Sequence, residues 1–598
     1  MKESYGQSTD TKTGLRWLFK QLMPVKGWIG LSVGLGLSSG LLLIVQAGLL
    51  ARIIHGAVID GTGREALWPF FVALVGIYLV RSLFGWGREV SGFEASAKIR
   101  RQVRSTLMAH ITRLGPAYVN GRNTGALAST VMEQVEGLHG FFAHYLPQMA
   151  LAIMIPAAIL TFVFPVSWAA GGVLMVTAPL IPLFMVLVGM GTESVSQRNF
   201  QALSRMSAHF LDILQGLPTL KLFHKSHGEE KTIAEVSRDY RKRTMSVLRI
   251  AFLSSAVLEF FSAIAIAMVA VYLGMTYLGY YHFGTWGLPL TLSGGFFILL
   301  LAPEFYLPLR ELGTHYHARA EAVGAAREIL KVLAVPVPVV PDKPVVFEPS
   351  GGVELCFKDV HLAYDGGRRP ALNGISFTIN AGEKLALVGE SGAGKTTVLD
   401  LLLGFLQPDR GQITANGISA DRLDPASRRR YISWIGQDPS LFHGSIRDNI
   451  RMGRPGAPEG AVVDAARSAR VLDFTQPLSQ GLDTVIGERG YGLSRGQAQR
   501  IALARALLKK APVLLLEEPN AGLDVENEHL VLAALDKLSA GRTVLTVTHR
   551  MADVEKADRI LVISGGRIVE EGAFAALRAA GGAFHRLANR LHEEDGHG

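Results

Sequence analysis

Apolar positions are unevenly spread along the chain. Six stretches, at about 28–50, 66–87, 145–165, 168–190, 250–278 and 286–308, are nearly free of charge. A helix needs about 20 apolar residues to cross the hydrocarbon core. Any one stretch would pass for a buried soluble helix, but six in series predict a membrane domain. Beyond residue 350, short apolar strand-like runs alternate with helical periodicity, the pattern of an α/β domain. Between the two, Pro336, Pro338, Pro341, Pro344 and Pro349 cannot continue a helix and mark an extended connector. The expected organisation is an N-terminal segment over 1–27, an all-α six-helix transmembrane domain over 28–333, a linker over 334–350 and an α/β domain over 351–598.

The links between spans predict orientation. Arg88 to His144 holds Arg88, Lys98, Arg100, Arg101, Arg104, Arg113 and Arg122, and Gly191 to Arg249 holds a still longer basic set. The links near Pro165 and over Gly279–Thr285 hold no Lys or Arg. By the positive-inside rule both long segments and both termini face the cytoplasm. At 1.5 Å per residue, such segments reach tens of ångströms as helices, far enough to touch an attached motor. Ahead of the first span, Leu15, Trp17, Leu18, Phe19, Leu22 and Met23 lie among Arg16, Lys20 and Lys26, the make-up of an interfacial helix on the cytoplasmic leaflet.

Composition narrows the picture. Apolar residues make up 49% and charged residues 19%, against roughly 25% charged in soluble domains. The net charge of +9 is read as a cytoplasmic face and phosphate contacts. No basic block is interleaved with aromatics, so a nucleic-acid groove is not expected. The single cysteine, Cys356, excludes an internal disulfide and a Cys-rich metal site, and its strand-like setting suggests a small core residue.

Ionisable groups within spans are costly and usually meet a partner or a substrate path. Arg81, Glu259 and Glu304 are such groups, and an Arg–Glu pair between helices is the bland reading. His315, Tyr316 and His317 follow the last span; Tyr316 and His317 are candidate substrate contacts, and solvated helix-end residues are the alternative.

The soluble half carries the sharper chemistry. Gly389-Glu390-Ser391-Gly392-Ala393-Gly394-Lys395-Thr396 follows the apolar run Leu385–Val388 and opens a helical run from Thr397. Glycines let backbone N–H groups curl around phosphate, and the helix N-terminus adds partial positive charge. Lys395 is placed to reach the β- and γ-phosphates of ATP and Thr396 to offer a hydroxyl to Mg²⁺. A second apolar run, Val513–Leu516, ends in Glu517-Glu518. The first carboxylate is expected to hold Mg²⁺ and the second to position the attacking water.

These residues resemble the ABC ATPase family, and the other family marks occur in order. The resemblance implies a signature turn over Leu493–Gln497, whose Ser494, Gly496 and Gln497 contact nucleotide bound by a partner subunit. It further implies Gln437 as the Q-loop residue at the metal and attacking water, and Asp524 as the D-loop. His549 becomes the switch histidine and Tyr364 the aromatic stacked on adenine. Two positions depart from the pattern: Glu517 stands where Asp is usual, and Arg495 where Gly is usual. Spans and motor on one polypeptide resemble type IV exporters.

The segments Tyr145–Ala150, Thr177–Met185, Leu253–Phe261 and Leu301–Thr314 resemble one subunit of the bacterial exporters required for cytochrome bd assembly. That likeness implies an inner-membrane heterodimer with a homologous half. It implies ATP and Mg²⁺ at the motor and a thiol (glutathione or cysteine) or haem as cargo. A lipid or drug exporter shares every motor motif, and a soluble ABC ATPase acting on nucleic acid shares the motor alone.

Overall fold

The computed structural model describes residues 13–120, 124–184, 210, 213, 216–287, 289–337, 343–349, 351–364, 367–487, 492–520 and 525–595. It divides into two compact units: residues up to Arg113 with Arg122–Pro336, and Leu114–Gly121 with Val337 onward.

The first unit is helical. Its long helices are α1 (Lys26–Val58), α2 (Arg64–Leu114), α3 (Leu146–Val163), α4 (Trp168–Thr177), α5 (Ser226–Tyr277) and α6 (Leu292–Leu333). Among the described residues, five helices are long and apolar enough to cross a membrane, and a shorter apolar one covers Trp168–Phe184. The rest of the fourth expected span, and the adjoining part of the second basic segment to residue 215, fall largely outside the described residues. α2 leaves Trp68, Phe71, Leu79, Leu83 and Trp86 exposed, as a lipid-facing or subunit-facing helix requires.

Two apolar clusters hold the bundle. One gathers Leu43, Ile159, Leu174, Val269, Ile298 and Phe305, and the other Leu18, Ile99, Leu107, Phe141, Ala322 and Ile329. Each fully buried side chain of this size contributes roughly 1.5–3 kcal/mol where water is the alternative. The second cluster also takes in part of the N-terminal segment. Its helical residues 13–20 pack against the bundle, with Leu18 and Val25 fully buried among Ile99, Leu138 and Phe141. Phe19 and Met23 of the same segment stay exposed, so protein covers one part of the apolar face and leaves another open.

The last span begins later than its hydropathy suggests. Gly284 and Gly287 adopt positive φ, and the helix starts at Leu292, where the Thr291 hydroxyl accepts a hydrogen bond from the Gly294 N–H at 3.1 Å. A side-chain cap, rather than the first apolar residue, decides where a helix starts.

The second unit is α/β. Its principal strands are β1 (Leu355–Tyr364), β2 (Arg369–Ile379), β3 (Lys384–Val388), β4 (Arg410–Ala415), β5 (Ile418–Ser419), β6 (Ile432–Ile435), β7 (Val513–Glu517), β8 (Thr543–Val547), β9 (Arg559–Ser564) and β10 (Arg567–Gly572). One sheet is antiparallel in the order β2-β1-β4-β5, a larger one runs β10-β9-β3-β8-β7-β6, and two further two-residue strands, Gly444–Ser445 and Val485–Ile486, pair antiparallel by themselves. In the larger sheet β9, β3, β8, β7 and β6 are parallel, and β10 closes one edge antiparallel. Helix α7 (Lys395–Leu403) follows β3, and α8 (Arg495–Lys509) precedes β7. Phe357, Leu372, Leu385, Leu399 and Val513 belong to one core shared by both sheets and α7. Cys356 lies on β1 half-buried, with the Thr378 hydroxyl 3.4 Å from its sulfur, so it edges the core rather than filling it.

Candidate nucleotide site

Register brings the chemistry together. Val547 of β8 pairs with Leu387 of β3 on one side and Glu517 of β7 on the other, all parallel. The C-terminal ends of these three strands therefore open on one edge, where open α/β sheets bind ligands. The glycine-rich turn leaves β3, Glu517 and Glu518 end β7, and Thr548 and His549 follow β8.

The turn is built for backbone approach. Gly394 has φ of 107°, and a Cβ there would stand 2.7 Å from the Ala371 carbonyl oxygen. At Gly389 a Cβ would come within 2.2 Å of the Ile563 carbonyl. Only glycine fits at either place. Inside the turn the Lys395 ammonium donates to the carbonyls of Gly389 and Glu390, at 2.7 and 2.8 Å. Burial pulls the Lys395 pKa down, and the carboxylates of Glu518 and Glu517 oppose the shift.

Beside it, the Thr396 hydroxyl donates to Glu517 Oε1 at 2.8 Å. Residues 121 apart in sequence thus meet as one oxygen pair, the hard donor set that Mg²⁺ prefers. The longer glutamate still reaches the threonine. One turn along α7, burial and then the Glu517 charge push the Asp400 carboxyl up to about 6. Sequence reasoning passed over Asp400; its spacing of four from Thr396, on the same helix face, was the available signal.

Glu518 sits at φ 44°, uncommon for a non-glycine residue, and its N–H is held by the Val547 carbonyl at 2.9 Å. That backbone turns its carboxylate onto His549, whose Nδ1–H donates to Oε1 at 2.8 Å. A carboxylate oriented by an imidazole can order a water for attack. Tyr364 and Thr397 share a hydroxyl–hydroxyl bond of 3.2 Å, and the Arg369 guanidinium lies 5.1 Å from the Tyr364 ring centroid. Sequence reasoning did not see Arg369.

The signature residues close on themselves. Ser494 caps α8, accepting from the Gln497 N–H at 3.2 Å, while the Gln497 side chain accepts from the Ser494 N–H at 2.9 Å. Gly496 is buried in the first turn. Gln437 joins this group through its carbonyl, which accepts from Arg495 at 3.2 Å. Asp524 lies outside the described residues.

In the helical unit the polar candidates do not converge. Arg81 of α2 donates to Gln46 of α1, and Gln46 donates to the Tyr78 hydroxyl at 2.9 Å. Glu304 lies half-buried on α6. Glu259 pairs with Arg310 at 3.6 Å, so an Arg–Glu pair exists between α5 and α6 without Arg81. Tyr316 accepts from Arg319 at 3.3 Å, and His317 is exposed.

Comparison with known proteins meets this geometry. The ABC transporter transmembrane region matches residues 29–300, and the ABC transporter family matches 372–521. The glutathione/L-cysteine transport system ATP-binding/permease protein CydD of Escherichia coli (strain K12) is 43% identical, over 97% of this chain and 98% of that protein. The chain belongs to the ABC transporter family. The CydC protein of the corresponding system in Bacillus subtilis (strain 168) is 34% identical over 91% of this chain and 94% of that one. A solved bacterial Atm1-family ABC exporter with ATP bound has a TM-score of 0.79 at 25% identity, covering 95% of this chain and 98% of that chain. This ABC transporter therefore has the type IV exporter fold, resembles CydD, and couples an ATPase domain to a membrane-spanning exporter domain.

Proposed function

We propose that this chain is one half of a heterodimeric exporter in the bacterial inner membrane, paired with a CydC-type half, with both termini and the motor in the cytoplasm. Its cargo is a small thiol, reduced glutathione or cysteine, moved outward in support of cytochrome bd assembly. The near-full-length likeness to CydD carries this reading, because it extends through the membrane segments and not only the motor.

At the motor, the turn from Gly389 through Gly394, with Glu390, Ser391, Gly392 and Ala393, wraps the phosphates of ATP. Lys395 exchanges its two carbonyl partners for the β- and γ-phosphates. Tyr364 stacks on adenine, and Thr397 continues the phosphate-facing turn. Thr396, Glu517 and Gln437 would hold Mg²⁺, which neutralises charge on the phosphoryl oxygens when bound. Glu518 orders the attacking water, and His549 holds Glu518 in place. Ser494, Gly496, Gln497 and Asp524 face the nucleotide of the partner subunit. Closing two motor domains on two nucleotides favours one conformation by differential affinity, and that preference drives the membrane half.

In the membrane half, Arg81, Glu259, Glu304, Tyr316 and His317 are the polar side chains that the charged groups of a thiol cargo would meet one at a time. Haem is the alternative cargo, with Tyr316 and His317 as its contacts. The deciding experiment purifies this chain with its partner in lipid nanodiscs and titrates ATPase activity with reduced glutathione, cysteine, haem and lipids. Stimulation by thiols is expected. Stimulation by haem alone replaces the cargo, and stimulation by lipids alone removes the reading.

A further inference from the structure

The residue that departs from the usual signature has a partner. Arg495 leaves the first turn of α8 and donates to Asp438 Oδ1 at 2.8 Å and to the Gln437 carbonyl at 3.2 Å. One turn further on the same face, the Gln499 amide reaches the Gly436 carbonyl at 3.4 Å. Arg505 of the same helix donates to the Ser440 carbonyl at 3.0 Å and the Asn449 carbonyl at 2.9 Å. One helix thus holds residues 436–440 at three points, and two of the three side chains approach Gln437 from its immediate neighbours.

The Arg495–Asp438 pair is open to water: the Asp438 side chain is 87% exposed and that of Arg495 40%. Pairs this solvated contribute between zero and about 1 kcal/mol to stability. A glycine at 495 would leave the cap made by Ser494 and Gln497 untouched, because neither bond uses the side chain of 495. What the arginine adds is a connection between two functional turns.

We propose that Arg495 is a positioning residue. It ties the signature turn to the Gln437 turn, so that a nucleotide closing onto Ser494 and Gly496 from the partner subunit sets Gln437 at this chain's own nucleotide. The inference rests on the proposed assignment of Ser494 and Gly496 to the partner's nucleotide and of Gln437 to this chain's. Signature and metal-side turn then move as one body, and occupancy of one composite site is felt at the other.

The test uses the purified heterodimer and photoaffinity labelling with 8-azido-ATP across a Mg²⁺ titration, with the two chains resolved by size. Arg495→Gly is expected to raise the half-saturating Mg²⁺ for labelling of this chain about fivefold, and to leave the partner's within about twofold. Asp438→Asn should do the same, Arg495→Lys should restore most of the wild-type midpoint, and Arg495→Asp with Asp438→Arg should recover more than either single change. A general loss of packing would shift both chains and would not respond to the exchange of charges. An unchanged midpoint on this chain, or a shift confined to the partner, overturns the proposal. Lys395→Ala separates the two levels. Should it leave labelling of this chain intact, the site assignment beneath the proposal fails; should it abolish labelling while Arg495→Gly shifts nothing, only the coupling fails.

Discussion

The nucleotide edge of the α/β unit and the polar sites of the helical unit handle charge in opposite ways. At the nucleotide edge, Lys395, Thr396, Glu517, Glu518 and His549 stand at the ends of three hydrogen-bonded parallel strands, and each already has a partner. In the helical unit, Arg81, Glu259, Gln148 and Tyr316 are spread over separate helices, each with one or two polar partners of its own. A sheet edge concentrates functional groups because adjacent strands lie under 5 Å apart. Helix axes are held 8–10 Å apart by their side chains, so polar contacts in a bundle form small separate groups. The motor is therefore preorganised for one reaction, whereas the bundle is pinned at single points.

The sharpest way to break this contrast is at the strand ends. Glu518→Gln should lower ATP turnover of the purified transporter by about 10²-fold or more while nucleotide binding is retained, as steady-state hydrolysis and equilibrium binding would report. Retained turnover would mean that Glu518 and His549 do not act as a unit. Next in size, Thr396→Ala removes one oxygen of the pair with Glu517 and should weaken Mg²⁺-dependent nucleotide binding by about tenfold. A matched titration in the absence of Mg²⁺ should show little change.

In the bundle, Gln148 ties three helices together. It is buried, accepts from Arg88 at 2.7 Å and donates to the Pro308 carbonyl at 2.9 Å, joining α2, α3 and α6. Gln148→Leu takes the Arg88 guanidinium's acceptor away and removes the side-chain donor at the Pro308 carbonyl, which lies within α6, at a cost of about 1–3 kcal/mol for the donor left unsatisfied. Thermal unfolding in detergent should show a lowered midpoint with motor ATP binding unaffected.

The smallest effect is one of pH. The Asp400 carboxyl, raised to about 6 from an ordinary value near 3.8, is penalised for ionising. That penalty is absent below the ordinary value and grows as pH rises through the folded one. Asp400→Asn should therefore stabilise the Mg²⁺-free motor more at pH well above 6 than at pH 4, by a modest amount given how far water reaches the group. Equal melting shifts at both pH values would rule this out.

How much was legible follows from range. The turn over 389–396 and the run over 513–518 are contiguous, so their chemistry is written in adjacent letters. The apolar lengths of the spans were legible for the same reason. The meeting of Thr396 with Glu517 across 121 residues was expected from their shared Mg²⁺ role. Two contacts were not legible: Arg81 chooses the neutral Gln46 on another helix, and Arg495 finds Asp438 57 residues upstream. The N-terminal apolar helix also could not announce that protein, rather than lipid, would cover Leu18. An amphipathic face reports that it needs covering and not by what.

The linear order of residues alone determined that this chain has a membrane part and a phosphate-binding part. Hydrophobic length and glycine-rich loops act through local physics, through the thickness of a bilayer and the room a backbone needs beside a phosphate. Tertiary structure alone decided which charges face each other, because pairing depends on strand register and helix packing. Those are set by the whole core at once, and no single segment carries them.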